Sequence, residues 1–316
     1  MTDKPSSIET PSVLRRYLHD EKAANFHDIW KHFILVEYVR LRANFPMRKI
    51  TYIDTHAGSF AYRNSNEIQL RSGILNFTSG FDSLPECTYK NIINIYGSKI
   101  TKDGDNITTY YPGSLAFSSW LLRHNRNKII GCDINSDMIK KCEKQALLFK
   151  KTLKSRIQYD FFIEDGYGVA EEYIKTNREE NGLVFIDPPY YPDEKTDWNK
   201  SLNLVNIINE VPRWSLVQWY CVYTDDTRSC LGYLNNTMEV LKNNAKFLSA
   251  INISLQVRPL SKEYAKTISG ILIVNPVIDV SKFSSALIKS GIKEIGDSLS
   301  PIDVKWGPKI DIEFIG

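Results

Sequence analysis

The chain has 316 residues and no Cys-x-x-Cys pair. Its five cysteines (Cys87, Cys132, Cys142, Cys221 and Cys230) are odd in number and widely spaced. That spacing excludes a disulfide framework or a structural zinc site as the organising device, and it fits a reducing compartment. Histidine and cysteine also lack metal-ligand spacing, so no metal is expected. No apolar run reaches membrane-spanning length, and the opening segment MTDKPSSIETPSVLRRYLHD has no apolar stretch of the kind a secretory signal needs. These absences lead to the expectation of a soluble cytoplasmic protein with no membrane partner. Internal repeats and low-complexity segments are missing too. Neither sign of charge dominates: 40 Lys and Arg stand against 37 Asp and Glu, a net charge of +3. Such a balance permits a nucleic-acid partner without demanding one, because local clustering matters more than the total.

What remains is ordinary globular material. Hydrophobic residues make up 42% and charged residues 24%, enough for a sizeable core in one large domain or two intimate ones. Residues 1–16 read as a flexible extension rich in Ser, Thr and Pro, and residues 17–316 as the folded domain. From about Asn25 to Asn44, apolar residues recur at helical spacing. KITYIDTHAG follows as a short strand ending in an Asp and a Gly-containing turn. The polar stretch 62–108 is weakly periodic, with a helix-like piece near 85–97, and reads as a small helical insertion after the first strand. YYPGSLAFSSWLLRH looks like a turn feeding a helix.

Beyond that point strands and helices alternate as a parallel sheet requires. KIIGCDIN, IQYDFFIEDG, GLVFIDPPY and SLVQWYCVYT are strands. SDMIKKCEKQALLFKKTL and YGVAEEYIKTN are helices, the first capped by Asn135 or Ser136. Two β-rich runs, FLSAINISLQV and SGILIVNPV, close the pattern. The fold class is α/β, a doubly wound and mostly parallel open sheet. Ligands of such sheets sit beyond the carboxyl ends of the strands. Asp54, Asp133, Asp165 and Asp187 all fall there.

Each of these acids suggests a role. Gly58 lets the chain turn tightly after the first strand, so a nucleoside cofactor can approach the backbone. Asp133 can accept hydrogen bonds from both ribose hydroxyls. It lies 75 residues beyond Gly58, instead of the usual separation of about 20, so something is inserted between them. Asp165, followed by Gly166, can accept from an exocyclic adenine amine. The run LVFIDPPYYP carries most information. An adenine amine is a poor nucleophile because its lone pair is delocalised into the ring. Two acceptors gripping that amine, the Asp187 carboxylate and the Pro188 carbonyl, hold the lone pair toward an electrophile. Pro189 fixes the direction of that carbonyl, because the residue before a proline is forced toward an extended conformation. Tyr190 offers a flat face for stacking the extruded base. Attack on a sulfonium methyl then needs mainly positioning and electrostatics.

With these residues in view, the chain resembles the bacterial 23S ribosomal RNA adenine-N6 methyltransferases of the large subunit methyltransferase J type. The resemblance covers about residues 17–290. YLHDEKAANFHDIWKH looks like the family's N-terminal signature, and YIDTHAG, YYPGS, DG, IDPPY and SGILIVNP follow in the family's order. It implies a Rossmann-like, class I fold that uses S-adenosyl-L-methionine and releases S-adenosyl-L-homocysteine. It further implies cofactor contacts at Lys31, His32, Asp54, His56, Gly58, Ser114, Asp133, Asp165, Gly166 and Asp187. Asp187, Pro188 and Tyr190 become catalytic, Tyr17 and Tyr190 substrate-facing, and 23S ribosomal RNA, free of protein or early in assembly, the partner. Asp133 in GCDINS departs from the Glu-His-Pro common in the family, and THAGSFAY has Ser-Phe where a small pair is usual.

RNA requires cationic contacts to phosphate. Lys140, Lys141, Lys144, Lys150, Lys151, Lys154 and Arg156 form one basic group. Arg15, Arg16, Arg40, Arg42, Arg48 and Lys49 form a second, read as the better substrate surface because it neighbours Tyr17. Two other functions fit the same residues. A DNA adenine methyltransferase shares the Asp-Pro-Pro-Tyr run, although no separate DNA-recognition domain is visible. A non-catalytic nucleic-acid-binding protein that assists DNA use is the other, and the intact run speaks against it.

Overall fold

The computed structural model describes residues 23–44, 49–96, 101–103, 106–190, 194–223, 230–243, 249–257, 267–299 and 309–315. Tyr17, Arg15, Arg16, Arg48 and the N-terminal extension lie outside them. Helix α1 (Phe26–Ala43) starts at Asn25, whose side chain accepts from the Asp28 backbone N–H. Its apolar stripe buries Ile29, Trp30, Phe33, Ile34 and Val36, as the spacing predicts. It also buries Lys31, His32, Glu37 and Arg42, so the helix is enclosed on its polar side as well. Buried charges need partners, and those of Lys31 help to define the site.

Strand β1 (Ile50–Asp54) leads into the insertion: β2 (Ala61–Asn64), α2 (Glu67–Ser72), α3 (Ile74–Ser79), α4 (Thr88–Tyr96), β3 (Thr101–Asp103) and β4 (Asn106–Pro112). The alternating units are α5 (Ser114–Leu122), β5 (Lys128–Cys132), α6 (Ser136–Thr152), β6 (Gln158–Phe162), α7 (Gly166–Thr176), β7 (Asn181–Ile186), α8 (Glu194–Ile208) and β8 (Trp214–Tyr223). Helix α9 (Cys230–Asn243), β9 (Ala250–Val257), β10 (Thr267–Val274), α10 (Val280–Lys289), α11 (Ile292–Ser298) and β11 (Lys309–Ile315) complete the chain.

The main sheet has eight strands in the order β11-β9-β10-β8-β7-β1-β5-β6. β8, β7, β1, β5 and β6 run parallel, while β10, β9 and β11 are antiparallel additions. From β1 the chain winds outward to β5 and β6, then returns to the other side of β1 for β7. The switch point therefore lies between β1 and β7, the place where open sheets of this kind bind ligands beyond the strands' carboxyl ends. β7 is buried along Gly182–Ile186, as a central parallel strand covered on both faces must be. The expected Rossmann-like architecture is the one observed. Among the described residues, no helix is long and apolar enough to cross a membrane.

One expectation needs correction, and one strand was not foreseen. The insertion is not simply helical: β2, β4 and β3 form a three-stranded antiparallel sheet beside its helices. The run ITTYYP supplied the β-branched and aromatic residues that strands favour, but its polar flanks masked it. At the other end, KIDIEFI pairs with β9 as an edge strand that the sequence reading passed over.

Candidate active site

The turn after β1 is clamped by the two strands beside it. Thr55 N–H donates to the Phe185 carbonyl at the end of β7 (3.1 Å), Ala57 N–H to the Cys132 carbonyl at the end of β5 (2.8 Å), and Gly58 N–H to Asp133 Oδ2 (3.2 Å). Gly58 has φ +55°, a conformation that favours glycine, and an added Cβ would lie 2.2 Å from the Tyr62 hydroxyl. Gly166 permits an even closer approach, since its Cβ would meet the Thr55 carbonyl oxygen at 2.2 Å. The start of α7 thus packs directly on the β1 turn. His56 lies edge-on to Tyr167 of α7, with ring centroids 5.1 Å apart, and its Nδ1 is 2.8 Å from Thr55 Oγ1.

Asp54 is fully buried behind this turn. Ser114 Oγ at the start of α5 donates to its Oδ2 (2.6 Å), Tyr52 OH to the same oxygen (3.2 Å), and His56 N–H to Oδ1 (3.3 Å). Burial pushes the Asp54 carboxyl up to about 7, opposed by the Ser114 hydrogen bond and reinforced by Asp187. Asp54 and Ser114, both expected as cofactor contacts, are buried and hydrogen-bonded to each other. They shape the turn from behind.

Asp133 and Asp165 are placed differently. Asp133 is half-buried at the rim, accepting from Gly58 N–H and Asn135 N–H. Ile134 beside it is 82% exposed, and Ile163, on the next loop over, is 50% exposed. Both are large apolar side chains left open to solvent just after strand ends, and sequence reasoning passed over them. Asp165 caps α7 through Tyr167 N–H (3.2 Å) and pairs with Lys200 of α8 (2.8 Å).

Asp187 follows β7 and meets α1. Its Oδ2 lies 2.6 Å from Lys31 Nζ, which also contacts Asp28 Oδ1 (2.7 Å) and sits 4.8 Å from the centre of a Trp219 ring. Burial alone would lower the Lys31 ammonium, but Asp187 and then Asp28 overcome it and raise it above the usual lysine range. Burial likewise works to raise Asp28, and Lys31 pulls it below its ordinary value. Resemblance implied a cofactor contact for Lys31; here it grips the catalytic candidate. His32 points elsewhere: it is 4% exposed, its Nδ1 lies 2.8 Å from Tyr111 OH, and burial followed by Lys31 lowers it to about 3. It is a neutral ring inside an aromatic cluster with Tyr111 and Phe117.

Pro188 is buried and Pro189 exposed. Tyr190 is buried, with φ +55°. Its hydroxyl donates to the Trp219 carbonyl (2.6 Å), and its ring packs on Trp198 (5.6 Å, nearly parallel) and Trp219 (5.9 Å). The flat open face expected of Tyr190 is therefore largely covered here, because α8 and β8 both bring a tryptophan against it. Sequence reasoning missed Asp28, Trp219 and Gln218. A glutamine inside the apolar strand SLVQWYCVY was the available signal.

Of the two basic groups, α6 presents Lys140, Lys144, Lys150 and Lys151 to solvent, with Lys154 and Arg156 exposed just beyond it. In the second group, Arg42 cannot be a substrate contact: it is 2% exposed, and its Nη2 donates to Asn181 Oδ1 (2.8 Å), the Gly182 carbonyl (3.1 Å) and the Arg213 carbonyl (3.4 Å). It ties α1 to the start of β7. Arg40 pairs with Glu37 on its own helix, and Lys49 is exposed.

Comparison with known proteins agrees with this architecture. The chain is 25% identical over 272 residues to "Ribosomal RNA large subunit methyltransferase J" of Haemophilus influenzae, covering 82% of this chain and 86% of that one. It is 24% identical over the same span to the protein of that name in Escherichia coli K12, with the same coverage. The crystal structure of LPL1258 from Legionella pneumophila superposes with a TM-score of 0.69 over 92% of this chain and 97% of the other, at 21% identity, which supports the fold. Residues 48–306 match the model of the family described as "Ribosomal RNA large subunit methyltransferase D, RlmJ", and the chain belongs to that methyltransferase family.

Proposed function

We propose that the protein transfers a methyl group from S-adenosyl-L-methionine to the N6 amine of an adenine in 23S ribosomal RNA. The carrying observation is the placement of Asp187: a salt-bridged carboxylate at the switch point, followed by Pro188-Pro189 and a tightly held Tyr190. Family membership and the names of the relatives support ribosomal RNA as the substrate class. The cofactor, when bound, supplies a methyl group on a cationic sulfur. Residues suited to hold its adenosine are Asp133 for the ribose, Ile134 and Ile163 for the base, and Asp165 for the exocyclic amine once Lys200 gives way. Asp54 and Ser114 fix the turn against which it lies.

The chain's own groups then do three things. As a salt-bridged carboxylate, Asp187 is acceptor-only. It takes one hydrogen of the target amine while the Pro188 carbonyl takes the other, which turns the nitrogen lone pair outward. Lys31, held from both sides by Asp28 and Asp187, keeps the carboxylate from swinging. The amine nitrogen would gain its bond to the methyl carbon as the carbon–sulfur bond breaks, its electron pair staying on sulfur as a neutral thioether; the nitrogen is left cationic, and its surplus proton departs to water. No strong base is needed, so the residues contribute orientation and a fixed electrostatic field.

The deciding experiment is transfer of labelled methyl groups to unmodified, protein-free 23S ribosomal RNA, with the product identified by mass spectrometry. Wild type should yield N6-methyladenine, and Asp187→Ala should lose nearly all activity while staying folded. Methylation of duplex DNA but not of RNA, or an Asp187→Ala variant with wild-type turnover, would overturn the proposal.

A further inference from the structure

Behind the Asp187–Tyr190 turn lies a buried polar chain that none of the roles above uses. Gln218 sits on β8, paired in register with Ile186, the residue before Asp187. It is fully buried. A primary amide in such a place is costly unless both ends are satisfied, and both are. Ser201 Oγ, from α8, donates to Gln218 Oε1 (2.5 Å), and Gln218 Nε2 donates to Tyr190 OH (2.9 Å). The Tyr190 hydroxyl proton is committed to the Trp219 carbonyl (2.6 Å). Its oxygen can therefore only accept from Gln218, so the amide must present NH2 to Tyr190 and its oxygen to Ser201. The chain has a single consistent polarity.

Tyr190 needs such an anchor. A bulky side chain at φ +55° is disfavoured and persists only where its surroundings enforce it. Trp198 covers the ring, while the hydroxyl is fixed by Gln218 and the Trp219 backbone. We propose that Gln218, oriented by Ser201, is a positioning residue that holds Tyr190 in this conformation and thereby sets the direction of the Pro188 carbonyl toward the target amine. The inference rests on the amine-methylation reading for its kinetic consequence, but its structural half stands apart from that reading.

Two substitutions separate the possibilities. Gln218→Met keeps length and apolar fit but offers neither donor nor acceptor. Gln218→Glu offers both when its buried carboxyl is protonated and loses the donor when ionised. Methyl transfer to unmodified 23S ribosomal RNA should fall about 10- to 100-fold in kcat for Gln218→Met, as expected for a misaimed acceptor, with cofactor affinity and the KM for RNA within about threefold of wild type. Gln218→Glu should regain kcat as pH falls, a profile that a purely structural residue would not give. Tyr190→Phe combined with Gln218→Met should be no slower than the slower single variant, because both break one link. Ser201→Ala should show a smaller loss in the same direction. A crystal structure of Gln218→Met should show Tyr190 released from positive φ. Wild-type kcat in Gln218→Met, additive losses in the double variant, or Tyr190 unmoved in that crystal would overturn the proposal. If wild type methylates no adenine, the amine-methylation reading fails, and the crystal structure alone decides whether Gln218 holds the turn.

Discussion

Removing the ammonium of Lys31 should expose how much of the site's order depends on one cation. Asp28 Oδ1 and Asp187 Oδ2 touch the same nitrogen at 2.7 and 2.6 Å, so in Lys31→Met two carboxylates would face each other within about 5 Å, with side chains only 14% and 16% exposed. Breaking a buried ion pair by removing one partner costs about 3–5 kcal/mol. For a chain of this size that corresponds to a fall in Tm of roughly 5–8 °C. The pH dependence has a definite sign. In the variant, one carboxyl of the pair is driven toward its neutral form, so the folded state binds a proton that the unfolded state releases. The deficit should be greatest near pH 7.5 and shrink as pH falls toward the ordinary carboxylate range. In wild type the opposite holds: Asp28 lies below its ordinary value when folded, so its contribution is present above that ordinary value and is lost only as pH falls through the lowered one. Lys31 lies above its ordinary value, so its contribution is intact at neutral pH and is lost only in strong alkali. Thermal and urea melts at pH 7.5 and 5.5 measure both effects. The double variant Asp28→Asn with Lys31→Met leaves a single carboxylate and should recover more than half of the lost stability. A Lys31→Met protein destabilised by less than about 1 kcal/mol at pH 7.5, or one whose deficit does not shrink at pH 5.5, would refute the claim that this lysine is the keystone between α1 and Asp187.

Three other substitutions test separate parts of the site. Asp133→Ala should weaken binding of S-adenosyl-L-homocysteine at least about tenfold by calorimetry, the loss expected for charge-assisted hydrogen bonds, while Tm moves little because the side chain is only half-buried. Gly166→Ala should weaken the same binding and lower Tm together, since its Cβ would fall 2.2 Å from the Thr55 carbonyl oxygen and something in the backbone must move; wild-type affinity would show that the two turns are not coupled. Arg42→Met should cost about 2–4 kcal/mol in urea melts by stranding the carbonyls of Gly182 and Arg213, yet leave RNA affinity unchanged at temperatures where the variant is folded.

The framework was legible because its signals are local. Apolar residues at helical spacing read directly as α1. Short apolar strands ending in acids read as β1, β5, β6 and β7, and their alternation with helices gives a parallel sheet. What stayed hidden depends on depth, which no local pattern encodes. Arg42 looks like part of a basic cluster, but it lies on a helix that is enclosed on its polar side as well. Tyr190 looks like an open aromatic, and only the arrival of Trp198 and Trp219 from distant segments covers it. Lys31 and Asp187 are far apart in sequence, so their ion pair could not be read from either neighbourhood. The insertion failed for a different reason: β2 and β4 are short, separated by three helices, and pair across that gap.

The four acids at strand ends show why depth also decides chemistry. They look alike in sequence, each an Asp closing a short apolar run. Across the sheet, from β7 and β1 at its centre through β5 to β6 at its edge, their surroundings change in order. Asp187 and Asp54 lie at the switch point, one 16% exposed and ion-paired, the other fully buried and hydrogen-bonded. Asp133 is half-buried, and the Asp165 side chain is 49% exposed. Electrostatic aim is strongest where water is excluded, so a carboxylate meant to orient a reacting amine belongs at the centre. Carboxylates that only recognise a ligand do better at the rim, where desolvation costs less. Asp54, deepest of the four, spends its oxygens on Ser114, Tyr52 and the His56 backbone. The four strand-end acids thus differ by their place across the sheet, and on the proposed function the central one beside Lys31 is the carboxylate that orients the amine.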